Sequence, residues 1–257
     1  MGATPHMALN LLALDRKLGT HVAAEILRGG ADAALLAHAF VTGGHTIEDP
    51  EPKYGMCVFG TVNPLHIVSN ATACAGDVLY LTKPLGTALM VNGHKQGIVS
   101  DADFELVKQS MMELNAAGAQ AFSKSGVHAA TDVTGFGLAG HLHELLVASN
   151  LSATLVTDDL PVFRGLKKAL EAGVAAGRCN AIVDMLGDSL CIQSCGAYSA
   201  KHAQQIVCDP QTSGGLLVAL APEQALKFEE TFASLSGRKP HKIGTLSADS
   251  AHTITLV

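Results

Sequence analysis

Residues 130–145 read ATDVTGFGLAGHLHEL, and this stretch decides how the rest of the chain is read. Val127–Val133 fits a strand, Gly135-Phe136-Gly137 a tight turn, and the residues after it a helix. Leu138, Leu142, Leu145 and Leu146 recur at i, i+4, i+7 and i+8, which gives that helix an apolar stripe. Glycines let backbone amides approach a ligand closely, and a helix N-terminus favours anions. Asp132 would repel a bare phosphate, so its place at the mouth of the helix points to a cation in between. A plainer reading fits the same residues: Asp132 and Thr134 cap the helix and the glycines only turn the chain.

Working outward, alternating strands and helices predict an α/β or α+β layered fold. A strand over Met7–Leu14 opens the chain, followed by a helix over His21–Ala37 that contains the unfavourable pair Gly29-Gly30. A short run, Ala39–Thr42, is expected to end in a turn at Gly43-Gly44-His45. The first strand then lacks evident neighbours, as if the chain began mid-domain. From Tyr54 a strand runs to the stop at Asn63-Pro64, and the small, polar Asn70–Gly76 is the expected domain junction. Beyond it come a strand in DVLYLTKPLG, one helix over Phe104–Phe122, a strand over Ala153–Thr157 and a helix over Val162–Ala172. An irregular stretch to about Leu190 follows. Next are a strand at Leu216–Leu220, a helix from Pro222, and a closing strand pair, His241–Leu246 with His252–Val257.

The 257 residues are 48% apolar and only 16% charged, enough for a substantial core. A net charge of −6 with no Lys/Arg cluster argues against a nucleic-acid partner. No apolar run approaches membrane-spanning length. The six cysteines form no Cys-x-x-Cys pair and read as small buried hydrophobes of a reduced, cytoplasmic protein.

Three further motifs carry possible chemistry. TGGHTIEDPEPKYG (42–55) could cradle phosphates through backbone amides, or be only a turn. CDPQTSGGLL (208–217) offers donors before a strand, although its side chains could equally satisfy one another. In LTKPLGT (81–87), Lys83 could bind phosphate, but a solvated lysine is the simpler expectation. His141 and His143, two apart on a helix, face different directions and cannot chelate together.

In this order the four motifs resemble the selenophosphate synthetase (selenide, water dikinase) family. The resemblance covers essentially the whole chain and is weakest between Gly173 and Gln204. It implies the two-domain fold of the aminoimidazole ribonucleotide synthetase-like, ATP-dependent superfamily, with an incomplete N-terminal domain. Residues 1–70 would be the remainder of the ATP-binding and dimerisation domain, and 71–257 the C-terminal α+β domain. It further implies conversion of ATP, selenide and water to selenophosphate, AMP and orthophosphate, in a homodimer with ATP and Mg²⁺ near the interface. By matching motif, Asp132 would be a Mg²⁺ ligand, and Gly43, Gly44, His45 and Thr46 would contact nucleotide.

The departures from that family are as specific. Its reactive Cys or selenocysteine with a nearby Lys, and its Asp-Asp-Ala-Ala segment, have no match; Asp158-Asp159 lies in a different context. AAGRCN (175–180) stands where relatives carry a glycine-glycine-threonine run. The expectation is a chain without its own catalytic residue, inactive alone and prone to associate through exposed sheet edges. The alternatives are a related synthetase or kinase of the superfamily, or a non-catalytic dimerising remnant.

Overall fold

The computed structural model describes residues 2–257, which form two compact units, Gly2–Ile67 and Val68–Val257. In the smaller unit, β1 (Thr4–Leu14), α1 (Gly19–Leu36), β2 (Phe40–Glu48) and β3 (Lys53–Thr61) make a three-stranded sheet and one helix. The strand order is β2-β1-β3, with β1 parallel to β2 and antiparallel to β3. β1 is therefore not an orphan but the central strand, with both neighbours supplied by this chain. The glycine pair inside α1 also has a reason. A Cβ on Gly30 would overlap the Tyr54 hydroxyl, which donates to Asn10 Oδ1 at 2.7 Å. The cost of glycine in the helix is offset by this close helix–sheet approach.

The turn expected at Gly43-Gly44-His45 is absent. β2 continues through it, pairing Leu9 with Gly43, Asn10 with Gly44, Leu11 with His45 and Leu12 with Thr46. A bulge between Ala8 and Leu9 draws the strands together here, and a Cβ on Gly44 would overlap the backbone of Asn10. Glycine thus serves the sheet rather than a turn. Gly44→Ala is expected to destabilise the unit by about 1–3 kcal/mol, as overpacking does. Gly43→Ala, whose Cβ would meet only Leu9 Cδ2 at 3.7 Å, should shift a urea midpoint far less.

The strand pairing lines up Met7, Leu9 and Leu11 of β1 with Phe40 and Ile47 of β2 and Phe59 of β3, all of them exposed. Phe40 is 70% exposed. One face of this small sheet is therefore apolar and left uncovered by the smaller unit's own described residues.

The larger unit is built on a seven-stranded sheet of order β5-β8-β4-β9-β6-β10-β7. Its strands are β4 (Val78–Leu81), β5 (Ala129–Asp132), β6 (Ser152–Leu155), β7 (Leu190–Ile192), β8 (Leu216–Leu220), β9 (His241–Ser247) and β10 (Ile254–Leu256). Every residue of β4 is buried, because both sheet faces are covered. Leu79 and Leu81 join the core under α5 (Gly137–Ser149), whose leucine stripe is wholly buried. Val78 and Tyr80 join a second core with Phe228 and Phe232 of α9 (Ala225–Ser236) and Phe122 of α4 (Ala116–Ser125).

Several sequence expectations change here. The single helix over Phe104–Phe122 is two, α3 (Asp101–Met112) and α4, because Glu113–Asn115 is held by Lys83 and by an Asn115 Nδ2 bond to Gly214 O at 2.9 Å. A helix not foreseen, α2 (Thr87–Lys95), follows β4. α6 (Leu166–Glu171) starts later than expected, after Gly165 at φ +90°. The supposedly irregular stretch contains α7 (Cys179–Leu186), which buries Cys179, Ile182 and Leu186, and is followed by α8 (Ala200–Val207). β9 and β10 do not pair; β6 lies between them. Of the cysteines, Cys179 and Cys208 are buried but Cys57 and Cys74 are exposed. No helix among the described residues is long and apolar enough to cross a membrane.

Candidate functional site

Three of the four motifs meet at one end of the large sheet. β5 and β8 pair antiparallel, so residues just after β5 face those just before β8. Val133 N–H donates to Gly215 O at 2.9 Å, and Gln211 N–H donates to Thr134 O at 2.9 Å. Gly137, at φ +65°, lies so close to the backbone of 207–209 that a Cβ would collide with it. The strand–turn–helix of 130–145 is thus clamped onto the 208–217 loop.

That loop in turn builds the start of α2. Asp209 accepts from Ala88 N–H and Leu89 N–H, both at 3.1 Å. Gln211 Oε1 accepts from Gly86 N–H and Thr87 N–H, both at 3.2 Å, and its amide donates back to Asp209. Four helix-start amides that have no intrahelical partner are satisfied by two side chains remote in sequence. Burial pushes the Asp209 carboxyl up to about 7, against the pull of the Ala88, Gln211 and Leu89 bonds. The self-satisfying reading of this loop is close to what is found, except that its partners lie on α2.

Lys83 is neither solvated nor a phosphate ligand. It is 1% exposed, and its ammonium donates to Ser110 O at 3.0 Å, Glu113 O at 2.6 Å and Ser213 O at 2.9 Å. It closes the C-terminus of α3, where cations are favoured, and ties it to the loop before β8. Burial lowers its pKa to about 8, so it stays charged at neutral pH.

Against this fixed frame, Asp132 is different. It ends β5, is exposed, and its carboxylate accepts no hydrogen bond from the described residues. The plain capping role fails: the cap position of α5 is Phe136, with no side-chain bond. The Thr134 hydroxyl is instead 3.1 Å from His141 Nε2. A carboxylate can ligate a cation, and amides at a helix N-terminus favour an anion. One residue without a sequence signal, Arg178, lies beside this helix start. The Arg178 guanidinium lies 5.7 Å from the centroid of the Phe136 ring, which also meets His141 edge-on. Arg178 belongs to the AAGRCN stretch, so that departure places a cation near the α5 start.

Gly43, Gly44, His45 and Thr46 sit together on β2 of the smaller unit, in a strand instead of a loop. His45 lines an open depression of about 410 Å³ with Leu11, Ile47, Lys53 and Tyr54.

Residues 75–257 match the family described as AIR synthase related protein, C-terminal domain, and residues 1–62 match its N-terminal domain. The chain belongs to the AIR synthase related family. Among its relatives is the selenide, water dikinase of Clostridium botulinum (strain Eklund 17B / Type B), 37% identical over 228 residues, covering 89% of this chain. Another is the selenide, water dikinase of Shewanella sp. (strain MR-7), 39% identical and covering 87%. The chain spans 65% and 62% of the length of these two relatives. Solved structures of the same fold include the thiamine-monophosphate kinase of Stenotrophomonas maltophilia, with TM-score 0.73 at 18% identity over 100% of this chain and 73% of that one. The hydrogenase maturation protein HypE in complex with ATP gives 0.74 at 16%, over 99% and 70%. As an AIR synthase related protein, the chain has the mixed α/β architecture expected from its sequence.

Proposed function

We propose that this AIR synthase related chain serves selenophosphate synthesis: ATP, selenide and water give selenophosphate, AMP and orthophosphate. The observation that carries the reading is the 37–39% identity to two selenide, water dikinases over nearly nine-tenths of the chain. Asp132 would hold a magnesium ion jointly with phosphate oxygens, since it joins no group of three or more possible ligands among the described residues. Such an ion supplies neutralisation of phosphate charge. The chain's own contribution is positional: the uncapped α5 amides and Arg178 favour anionic oxygens, and the Asp209, Gln211 and Lys83 braces fix that mouth. Gly43, Gly44, His45 and Thr46 are assigned to nucleotide contact. The uncovered apolar sheet face is assigned to homodimerisation, because monomers rarely leave so contiguous a patch in water. Six free cysteines fit the reducing cytoplasm.

Incubated anaerobically with ATP, Mg²⁺ and selenide, the chain extended upstream to the length of its relatives should give selenophosphate and AMP together in ³¹P NMR. ATP turnover to ADP that ignores selenide would instead indicate one of the family's other kinases. Asp132→Asn is expected to weaken Mg²⁺-dependent ATP binding by at least about tenfold, as losses around a metal do. By calorimetry it should leave binding in EDTA unchanged; equal affinities in Mg²⁺ would remove Asp132 from the site.

A further inference from the structure

The end of the large sheet opposite Asp132 carries a second cluster. His128 immediately precedes β5 and Asp132 ends it, so the two are separated by a strand length of roughly 13 Å. β4 and β5 both run antiparallel to β8 and hence start at the same end. The residues leading into them are Cys74-Ala75-Gly76-Asp77 and His128. Cys74 Sγ, an Asp77 carboxylate oxygen and a His128 ring nitrogen lie within 4.8 Å of one another.

Their backbones are pinned. Gly76 N–H donates to Leu246 O and Leu246 N–H to Asp77 O, both at 2.9 Å, while His128 N–H donates to Ala219 O at 3.0 Å. The Thr72 hydroxyl donates to His128 O at 2.6 Å. Asp77 is 2% exposed, and its carboxylate faces His128 Nδ1 at 2.8 and 3.0 Å while accepting from Cys74 N–H at 2.9 Å. The Cys74 thiol is exposed, and its bond to Thr72 O is long at 3.9 Å, so an ion can approach the sulfur from solvent.

We propose that Cys74, Asp77 and His128 form a binding site for a thiophilic divalent cation of the zinc class. Thiolate, imidazole and carboxylate together suit Zn²⁺ or its Co²⁺ surrogate and disfavour Mg²⁺, which takes oxygen ligands. Three protein ligands leave a fourth, solvent-facing position. Bound metal would staple the 72–77 segment to the start of β5. This site shares no residue with the proposed nucleotide end and stands or falls independently of it.

Co²⁺ titration of the whole chain tests it. One equivalent should produce a thiolate-to-cobalt charge-transfer band with visible bands of tetrahedral type. Cys74→Ser, a change at an exposed position, should abolish the charge-transfer band. His128→Gln should weaken binding at least about tenfold. Absence of the band in the wild-type chain, or its persistence in Cys74→Ser, which would place the metal on another cysteine, overturns the proposal. Undiminished affinity in His128→Gln overturns it as well.

Discussion

Replacing Lys83 with methionine is expected to cost roughly 3–5 kcal/mol of folding stability, because three carbonyls lose one charged donor. Methionine fills much of the same volume, so the loss is one of hydrogen bonds more than of packing. Three part-buried carbonyls, from Ser110, Glu113 and Ser213, would lose their donor, each at up to about 1–3 kcal/mol if nothing replaces it. Arginine offers no rescue, because its flat fork cannot point three donors inward from one atom. The control is Lys95→Met, on the exposed end of α2, which should stay within about 0.5 kcal/mol. Urea midpoints of the two variants measure the contrast directly. Equal midpoints would mean that water reaches the three carbonyls.

Asp209→Ala should cost about 2–4 kcal/mol, combining a lost helix cap with two buried amides left unpaired. The same residue also predicts a pH dependence. Its folded pKa, about 7, lies above the ordinary carboxyl value of 3.8 because burial outweighs its three donors. A raised folded pKa contributes stability that is complete below the unfolded value and lost as pH rises through the folded one. The wild-type protein should therefore gain on Asp209→Asn as pH falls from about 7 to about 4, by an amount on the order of a few kcal/mol. Denaturation midpoints of both proteins at pH 7.5 and 5 check this. A constant difference would show that the carboxylate stays ionised in its cap.

Much of the layered fold was legible because its signals are local. The leucines at 138, 142, 145 and 146 mark α5 unaided, and the VLYL run marks the strand β4. What stayed hidden depends on partners distant in the chain. Nothing near Lys83 announces that Ser110, Glu113 and Ser213 will surround it, and nothing near Gly44 announces the Asn10 backbone. The break between α3 and α4 is set by those same remote bonds, so a continuous periodic pattern was read as one helix. Arg178 is similar: only the packing of α7 brings it over Phe136. By contrast, the Cys179, Ile182 and Leu186 spacing of α7 is a local signal, masked by Gly177 just before it.

The sheet order also bears on synthesis. β10, made from residues 254–256, hydrogen-bonds to β6 on one side and β7 on the other. β7 pairs with no other strand, so it lacks a neighbour until residues 254–256 have left the ribosome. An emerging chain can assemble β4, β5, β8, β9 and β6 earlier, but its far edge waits for β10. Ribosome-bound intermediates that have not yet exposed residues 254–256 should therefore hold a partly closed domain.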